Sequence, residues 1–391
     1  MSAPPPGSPS LVKPAEIMVS STPPSAFLPS LADRFEMFAG RHFWPAVVIL
    51  FLFTIEFNGT GLVPPEHYQK YSQHPFVTRD DIDPRNVWQE SILLPLTAFW
   101  MGATSRFTFN ALCIGILLLG YATFLLTSVR RDGKAVTLLL FALLLAHPVT
   151  AVLWSWIGMP DCISFLCVAL ALVVRSRLAF FSLASITMVN HPAGTIAIGS
   201  IAVLRLVAHE EHMSWIHVGV VLAGGLLGSV LVHAFNAYHD VIVYTRLEEG
   251  LSFSWGELMH MNLAPLPFVL FSFQQTIWLT LAFLVIVFSR KDPVYFSVLG
   301  AIMIAAYAMT FFTLDTTRVF AMLTWGATFH CVSHCLTLNR SEYRELDAKT
   351  VLGVLEACAI VGLLIPRFYL WNGEVFTTPF NSTIELIRHI H

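Results

Sequence analysis

Charged side chains are scarce in this sequence. Asp, Glu, Lys and Arg make up 12% of its 391 residues, whereas 55% of the residues are hydrophobic and the mean hydropathy is +0.67. So little charge excludes an ordinary soluble domain. The net charge of −3, with no basic stripe, excludes a nucleic-acid partner. The six cysteines lie mostly in apolar runs, where they act as small hydrophobic side chains, so no disulfide framework is expected.

Long runs of apolar residues dominate the sequence. A helix needs about 20 apolar residues to cross roughly 30 Å of hydrocarbon, and the chain contains about ten such runs. Several of them are short. The sequence therefore predicts an all-α fold: a polytopic integral membrane helix bundle of about 10–12 spans, with short re-entrant or broken helices. Membrane lipids are its expected surroundings.

The composition divides the chain into an N-terminal tail, a transmembrane domain and a C-terminal tail. Residues 1–38 are rich in Pro and Ser and lack helical periodicity, which predicts a disordered cytoplasmic tail. No basic segment precedes the first apolar run, so a cleaved signal peptide is not expected. The transmembrane domain is predicted at 39–370, with a long first outer loop at 58–90. Residues 371–391 are predicted to form a short extracytoplasmic tail.

Two apolar stretches are interrupted. The segment 91–104 is too short to span and is interrupted by Pro95, which is typical of a re-entrant or interfacial helix. Asn190, His191 and Pro192 interrupt the apolar stretch at 179–207. Because proline removes a backbone donor and ends or kinks a helix, a polar break is predicted there, at membrane depth or at the membrane edge.

Basic residues in the short loops predict the orientation, since cytoplasmic loops carry an excess of Lys and Arg. An even number of predicted spans separates successive basic loops, provided that the break at 190–192 is a true loop. The N-terminus is therefore expected in the cytoplasm. The scarcity of Lys and the expected uncleaved N-terminus fit a bacterial inner membrane. The basic loops contain Arg130, Arg131 and Lys134; Arg175 and Arg177; Arg205; Arg290 and Lys291; and Arg340, Arg344 and Lys349.

A set of polar residues remains for the opposite, outer face. An ionisable side chain at membrane depth is costly, so it is a functional-site hypothesis by default. Each residue also has a purely structural interpretation. Asp161 is equally suited to cap a helix N-terminus, and Asp315 and Arg318 are spaced for a local ion pair. A histidine such as His191 is often satisfied by backbone, and Glu56 is as well placed to be an interfacial anchor as a base.

The densest charge cluster lies in the first outer loop. Asp80, Asp81 and Asp83 fall within four residues, and carboxylate oxygens are ligands for a divalent cation. Arg79 and Arg85 are suited to pair a phosphate group in bidentate fashion. The spacing is not that of an EF-hand loop, and a solvated helix start explains the same residues.

One helical segment has the spacing of a metal site. His330 and His334, like Cys331 and Cys335, are four residues apart, which places each pair on one helix face. The segment lies toward the predicted cytoplasmic end of its span. Hydrogen bonds between helices explain these polar side chains, and we expect no metal site there.

The arrangement of the outer polar groups resembles the GT-C class of polytopic glycosyltransferases, which includes bacterial polymerases of O-antigen and exopolysaccharide. The resemblance covers residues 40–370 as an architecture of many spans, a long first outer loop and a short re-entrant helix. The residues that carry it are Glu56, the 79–85 cluster, Gly158 to Asp161, Asn190 to Pro192, and Asp315 with Arg318.

The resemblance implies a polyprenyl-phosphate-linked or polyprenyl-diphosphate-linked sugar donor. A carboxylate would act as general base toward the acceptor hydroxyl, and an arginine would hold the leaving phosphate. The matching candidates for the base are Glu56, Asp80, Asp81 and Asp161. The candidates for binding substrate or phosphate are His191, Arg246, Asp315 and Arg318.

Two other functions stay open on sequence grounds. Broken helices near residues 91–104 and 190–192 are typical of the substrate site of a transporter or flippase. Fifteen histidines are compatible with a non-catalytic subunit that has membrane protein partners.

Overall fold

The computed structural model describes residues 27–58, 66–263, 265–313, 315–340, 348–371 and 373–377. Across these ranges the fold is all-α, as predicted, apart from one small hairpin near the C-terminal end. The helices are α1 (Phe27–Asn58), α2 (His67–Gln73), α3 (Leu93–Trp100), α4 (Arg106–Asp132), α5 (Lys134–Ala146), α6 (Pro148–Ser155), α7 (Asp161–Ala171), α8 (Arg177–Asn190), α9 (Pro192–Val207), α10 (Trp215–Tyr238), α11 (Arg246–Ser252), α12 (Trp255–Leu263), α13 (Leu266–Gln274), α14 (Ile277–Phe288), α15 (Pro293–Thr310), α16 (Thr316–Arg340) and α17 (Ala348–Leu364). The strands are β1 (Phe368–Trp371) and β2 (Glu374–Thr377), which pair antiparallel.

Five helices in the described ranges are long and apolar enough to cross a membrane: α1, α4, α10, α15 and α16. Two bent pairs, α5–α6 and α13–α14, raise the number of candidate spans to seven. This is fewer than the sequence predicted, because other apolar runs form helices too short to span alone. Helices α7, α8 and α9 have 11, 14 and 16 residues.

The two bends have different local causes. Between α5 and α6 the axis turns by 59°; His147 is extended there, and Pro148 starts the next helix without a backbone donor. Between α13 and α14 the axis turns by 79°. Gln275 at that bend has a φ of 49°, a left-handed conformation that non-glycine residues rarely adopt.

Helix α16 is the central helix of the bundle. The most apolar stretch of α16 is 83% buried, whereas the corresponding stretches of the other four long helices are 28–39% buried. It packs against α6, α7, α9, α13, α14, α15 and β1. Polar side chains on α16 are therefore surrounded by protein and not by lipid.

The predicted break at 190–192 is a turn between two antiparallel helices. The hydroxyls of Thr187 on α8 and Thr195 on α9 are 3.0 Å apart, and Thr195 also bonds to the carbonyl of Ala184. His191 is extended, and its Nδ1 accepts a hydrogen bond from the backbone N–H of Ala193. The polar break thus starts α9.

The predicted outer loop and tail contain helices. Helix α1 begins at Phe27, so residues 27–38 belong to it and not to an irregular tail; residues 1–26 are outside the described ranges. In the loop after α1 the structure places α2 and a short 3₁₀ helix at Val87–Glu90. The predicted re-entrant segment contains α3, an eight-residue helix that packs on α2 and α8.

Two glycines on α10, Gly224 and Gly228, allow close packing against α8. A Cβ atom at Gly228 would lie 2.7 Å from the carbonyl oxygen of Ser185, and one at Gly224 would contact the carbonyl oxygen of Phe181. The hydroxyl of Ser185 donates to the carbonyl of Gly224 at 2.9 Å. The two backbones therefore touch without intervening side chains.

Replacing Gly228 by Ala should destabilise the protein by about 1–3 kcal/mol, because the added methyl group meets backbone that has no room to move. Gly219→Ala is the matched control on the same helix, since no atom lies within 4 Å of its Cβ position. Thermal unfolding in detergent micelles measures both. Equal melting temperatures for the two variants would contradict the close contact between α8 and α10.

Candidate functional site

Three charged residues and two aromatic residues meet at one end of α16. Asp161 is the first residue of α7, and Asp315 and Arg318 flank the start of α16. Trp156 follows the last residue of α6, and Tyr369 lies on β1. We call these five residues the Arg318 cluster.

Arg318 bonds to both carboxylates. Its Nε donates to Oδ2 of Asp161 at 2.6 Å, and its Nη1 donates to Oδ2 of Asp315 at 3.2 Å. The guanidinium carbon lies 5.8 Å from the centre of the Trp156 ring, within the range of a cation–π contact. All three charged side chains are at least 88% buried.

Hydrogen bonds in the cluster have a fixed direction. An indole N–H only donates, so Trp156 donates to the hydroxyl oxygen of Tyr369, at 2.6 Å. The Tyr369 hydroxyl therefore directs its own hydrogen to Oδ1 of Asp315. Both oxygens of Asp315 are thus engaged, one by Tyr369 and one by Arg318.

Two polar atoms of the cluster have no hydrogen-bond partner among the described residues and are called open below. Oδ1 of Asp161 makes no hydrogen bond to a described residue, and Nη2 of Arg318 is buried without a partner there. A crevice of about 10 Å³ lies beside Asp161 and Trp156, which is room for one water molecule. The open acceptor belongs to Asp161, one of the four candidate bases, and the open donor belongs to Arg318, one of the four candidates for binding substrate or phosphate.

Neighbouring side chains hold the cluster in place. Asn190 donates to the carbonyl of Pro160 at 2.6 Å, which fixes the turn in front of Asp161. Thr317 accepts from the backbone N–H of Leu370 at 2.9 Å and bonds to Ser272 at 2.8 Å. Each chain segment of the cluster is therefore tied to another segment by a buried polar contact.

Other candidate residues lie elsewhere. Glu56 is exposed near the end of α1, which packs on α5 and α17. Asp80 is exposed in the first outer loop, and Asp81 is held by Arg79 through two hydrogen bonds of 2.7 and 2.8 Å. Arg246 begins α11, but its side chain is outside the described part of the structure.

The Asp80–Asp83 segment is not arranged as a cation site. The hydrogen bond from Arg79 lowers the pKa of Asp81, so this carboxylate already has a cationic partner. Asp83 accepts from the backbone N–H groups of Arg85 and Val87 at 3.2 and 3.0 Å. Among the described residues, no group of three or more His, Cys, Asp or Glu side chains is placed to hold a metal ion.

Tyr369 and Trp156 were not predicted from the sequence. The chain contains nine Tyr and ten Trp, so a single aromatic residue carries no signal of its own. Trp156 lies shortly before Gly158 to Asp161, a segment that the sequence did single out. Tyr369 is more than fifty positions from its partner Asp315, and only the fold brings the two together.

Comparisons with known proteins give no match for this chain. No family model matches it. No curated protein and no solved structure matches it either. Its function therefore has to be inferred from the chemistry of the Arg318 cluster.

A second group of charged residues lies beside the second half of α16. Glu210, in the loop after α9, bonds to Nε of Arg205 at 2.7 Å and to Nε2 of His330 at 3.1 Å. His334 pairs instead with Asp292, at 3.0 Å. The two histidines thus bond to different carboxylates, which agrees with the expectation of polar contacts between helices.

Removing the charge of Arg318 alone should strongly destabilise the protein. Arg318→Met leaves two buried carboxylates without a cation, a change that typically costs about 3–5 kcal/mol. The triple variant Asp161→Asn, Asp315→Asn, Arg318→Met buries no charge and should recover most of that loss. Thermal unfolding of the purified protein compares the two. If the triple variant is no more stable than Arg318→Met, the loss of stability in Arg318→Met does not come from the unpaired carboxylates.

Stability should also fall in acid through Glu210. Burial alone would raise the pKa of Glu210, but the hydrogen bond with His330 and the charge of Arg205 lower it from 4.5 to about 2. A lowered pKa means that the stabilisation is fully present above pH 4.5 and is lost as the pH falls through about 2. Melting temperatures between pH 5 and 2 should fall more steeply for the wild type than for Glu210→Gln. Parallel curves would contradict the assignment.

Proposed function

We propose that this protein is an integral membrane glycosyltransferase that uses a polyprenyl-phosphate-linked sugar, with Asp161 as general base and Arg318 as phosphate-binding residue. One observation carries the proposal: in one buried cluster, a carboxylate oxygen and an arginine N–H have no hydrogen-bond partner among the described residues. Glycosyl transfer from a phosphate donor needs both groups within reach of one anomeric carbon.

The proposed step is a displacement at the anomeric carbon. The acceptor hydroxyl forms a new bond to that carbon while the bond from the carbon to the phosphate oxygen breaks. The hydroxyl proton passes to Oδ1 of Asp161. The electron pair of the broken bond leaves with the phosphate, whose negative charge Arg318 stabilises. Asp315 is not the base, because both of its oxygens are engaged.

The orientation of the bundle supports an extracytoplasmic site. Arg131 donates to Ser333 and Arg205 is joined to His330 through Glu210, so these basic loops lie at the end of α16 opposite to Arg318. Basic loops face the cytoplasm. The Arg318 cluster would then face the outer side, in a bacterial inner membrane, where lipid-linked sugars are consumed by enzymes of the GT-C class that the sequence resembles.

A transporter is the second candidate, and a different observation favours it. The spans α5–α6 and α13–α14 are both broken, at His147 and at Gln275. Gln274, beside the second break, donates to Thr324 and Thr328 on α16 at 3.0 and 3.3 Å. Broken helices that present polar groups inside the bundle are typical of transport sites. Movement of a lipid-linked sugar across vesicles without covalent change would favour this function.

Asp161→Asn should abolish glycan extension while the protein stays folded in the membrane. The amide keeps the shape of the carboxylate and still accepts from Arg318, but it no longer takes a proton, and general-base catalysis typically contributes about 10²–10⁴ in rate. Transfer of radiolabelled sugar to lipid-linked acceptor in membranes of the native host measures the effect.

Asp80→Asn and Glu56→Gln are the matched controls, since both residues are exposed and neither belongs to the Arg318 cluster. They should retain most of the transfer activity. Wild-type transfer by Asp161→Asn would reject Asp161 as the base. Wild-type activity in both Asp161→Asn and Arg318→Lys would reject the transferase proposal as a whole.

A further inference from the structure

We infer that Tyr369 and Trp156 are positioning residues that anchor Arg318 through Asp315, so that Arg318 exchanges Asp161, and not Asp315, for the phosphate of the substrate. This inference rests on the proposed function. It assigns different roles to the two carboxylates, of which one is a permanent partner of Arg318 and the other a partner that substrate binding displaces.

The shape of the guanidinium leaves only two ways to bind a phosphate with two hydrogen bonds. Nη2 is open, and it pairs with Nε on one edge of the group or with Nη1 on the other. Asp161 accepts the single hydrogen of Nε, and Asp315 accepts one of the two hydrogens of Nη1. Bidentate binding at the Nε edge therefore displaces Asp161, whereas binding at the Nη1 edge brings the phosphate against the carboxylate of Asp315.

Asp315 is the carboxylate that is harder to displace. It lies three residues before Arg318 in the chain, and its other oxygen accepts the hydrogen of Tyr369. Trp156 donates to the same hydroxyl at 2.6 Å, which keeps that hydrogen pointed at Asp315. Asp161 comes from another helix, and among the described residues its carboxylate bonds to Nε alone. Phosphate binding thus takes the Nε edge.

Tyr369 is itself held firmly, which positioning requires. Arg367 donates to the carbonyl of Leu145 at 2.9 Å, and Gln275 donates to the carbonyl of Phe368 at 2.7 Å. The backbone N–H of Leu370 bonds to Thr317 at 2.9 Å. Contacts to three separate segments fix the residues on both sides of Tyr369.

The exchange has a consequence for the base. Once the phosphate occupies Nε and Nη2, both oxygens of Asp161 are free to accept the proton of the acceptor hydroxyl. Without the exchange, the single positive charge of Arg318 would have to neutralise two carboxylates and a phosphate at once. Donor binding therefore precedes acceptor activation.

Binding of farnesyl phosphate to the purified full-length protein in detergent micelles tests the inference, with farnesol as the uncharged probe of the same tail. Tyr369→Phe loses only the hydroxyl and should bind farnesyl phosphate about tenfold more weakly than the wild type, as expected for one lost hydrogen bond to a charged group. Trp156→Phe should show a loss of similar size. Binding of farnesol should not change in either variant.

Tyr71→Phe is the matched control, because the Tyr71 hydroxyl is buried without a described partner, and it should bind both probes like the wild type. In an Asp315→Asn background, Tyr369→Phe should cause no further loss. Wild-type binding of farnesyl phosphate by Tyr369→Phe, or an equal loss for both probes, would overturn the inference and leave the proposed function standing. A wild-type protein that does not distinguish farnesyl phosphate from farnesol would overturn both.

Discussion

The structure depends on one buried cation held by two carboxylates. A charge inside a membrane-spanning bundle is costly unless it is paired and hydrogen-bonded, so Arg318 requires Asp161 and Asp315 to be brought to it. Meeting that requirement joins three separate parts of the chain: the turn before α7, the start of α16 and the strand β1. Helix α7 and helix α16 therefore both begin at the point where these three parts of the chain meet.

The irregular segments of the fold are consistent with this requirement. Helix α6 is short because Pro148 breaks the span, and Trp156 follows its last residue. Gln275, at the other break, uses its side chain to bond to the carbonyl of Phe368. Non-helical backbone at membrane depth is tolerated where protein surrounds it. Here it is surrounded by protein and carries the side chains that complete the cluster.

How well the sequence predicts a site residue depends on the free energy that it costs to bury that residue. In a sequence with so little charge, an ionised residue at the end of an apolar run is informative, and this is how Asp161, Asp315 and Arg318 were found. Charges in an exposed loop cost little, so Asp80 and Asp81 carried less information, and the structure does not place them in the cluster. Aromatic residues are common here, and only the fold distinguishes Tyr369.

The fold was predictable in class and less so in detail. Hydropathy predicts helices reliably because each span must satisfy its own backbone hydrogen bonds, and the turn at 190–192 follows from Pro192. Hydropathy does not distinguish a span from a shorter apolar helix buried among others, such as α7, α8 and α9, which explains why the sequence predicts more spans than the structure has. The hairpin β1–β2 had no signal, because strand pairing depends on partners and not on local sequence.

Helix α16 is held at its start and again in its second half. Arg318 and Asp315 hold the start, while His330, bonded to Glu210, holds the second half. Moving α16 would break both groups of contacts together. Asp161 is joined to Arg318 by one hydrogen bond and lies beside the crevice. In the proposed reaction, the phosphate replaces the hydrogen bond between Asp161 and Arg318, while Asn190 holds the turn before α7 in place. In that proposal, binding of the phosphate and release of the base are one event.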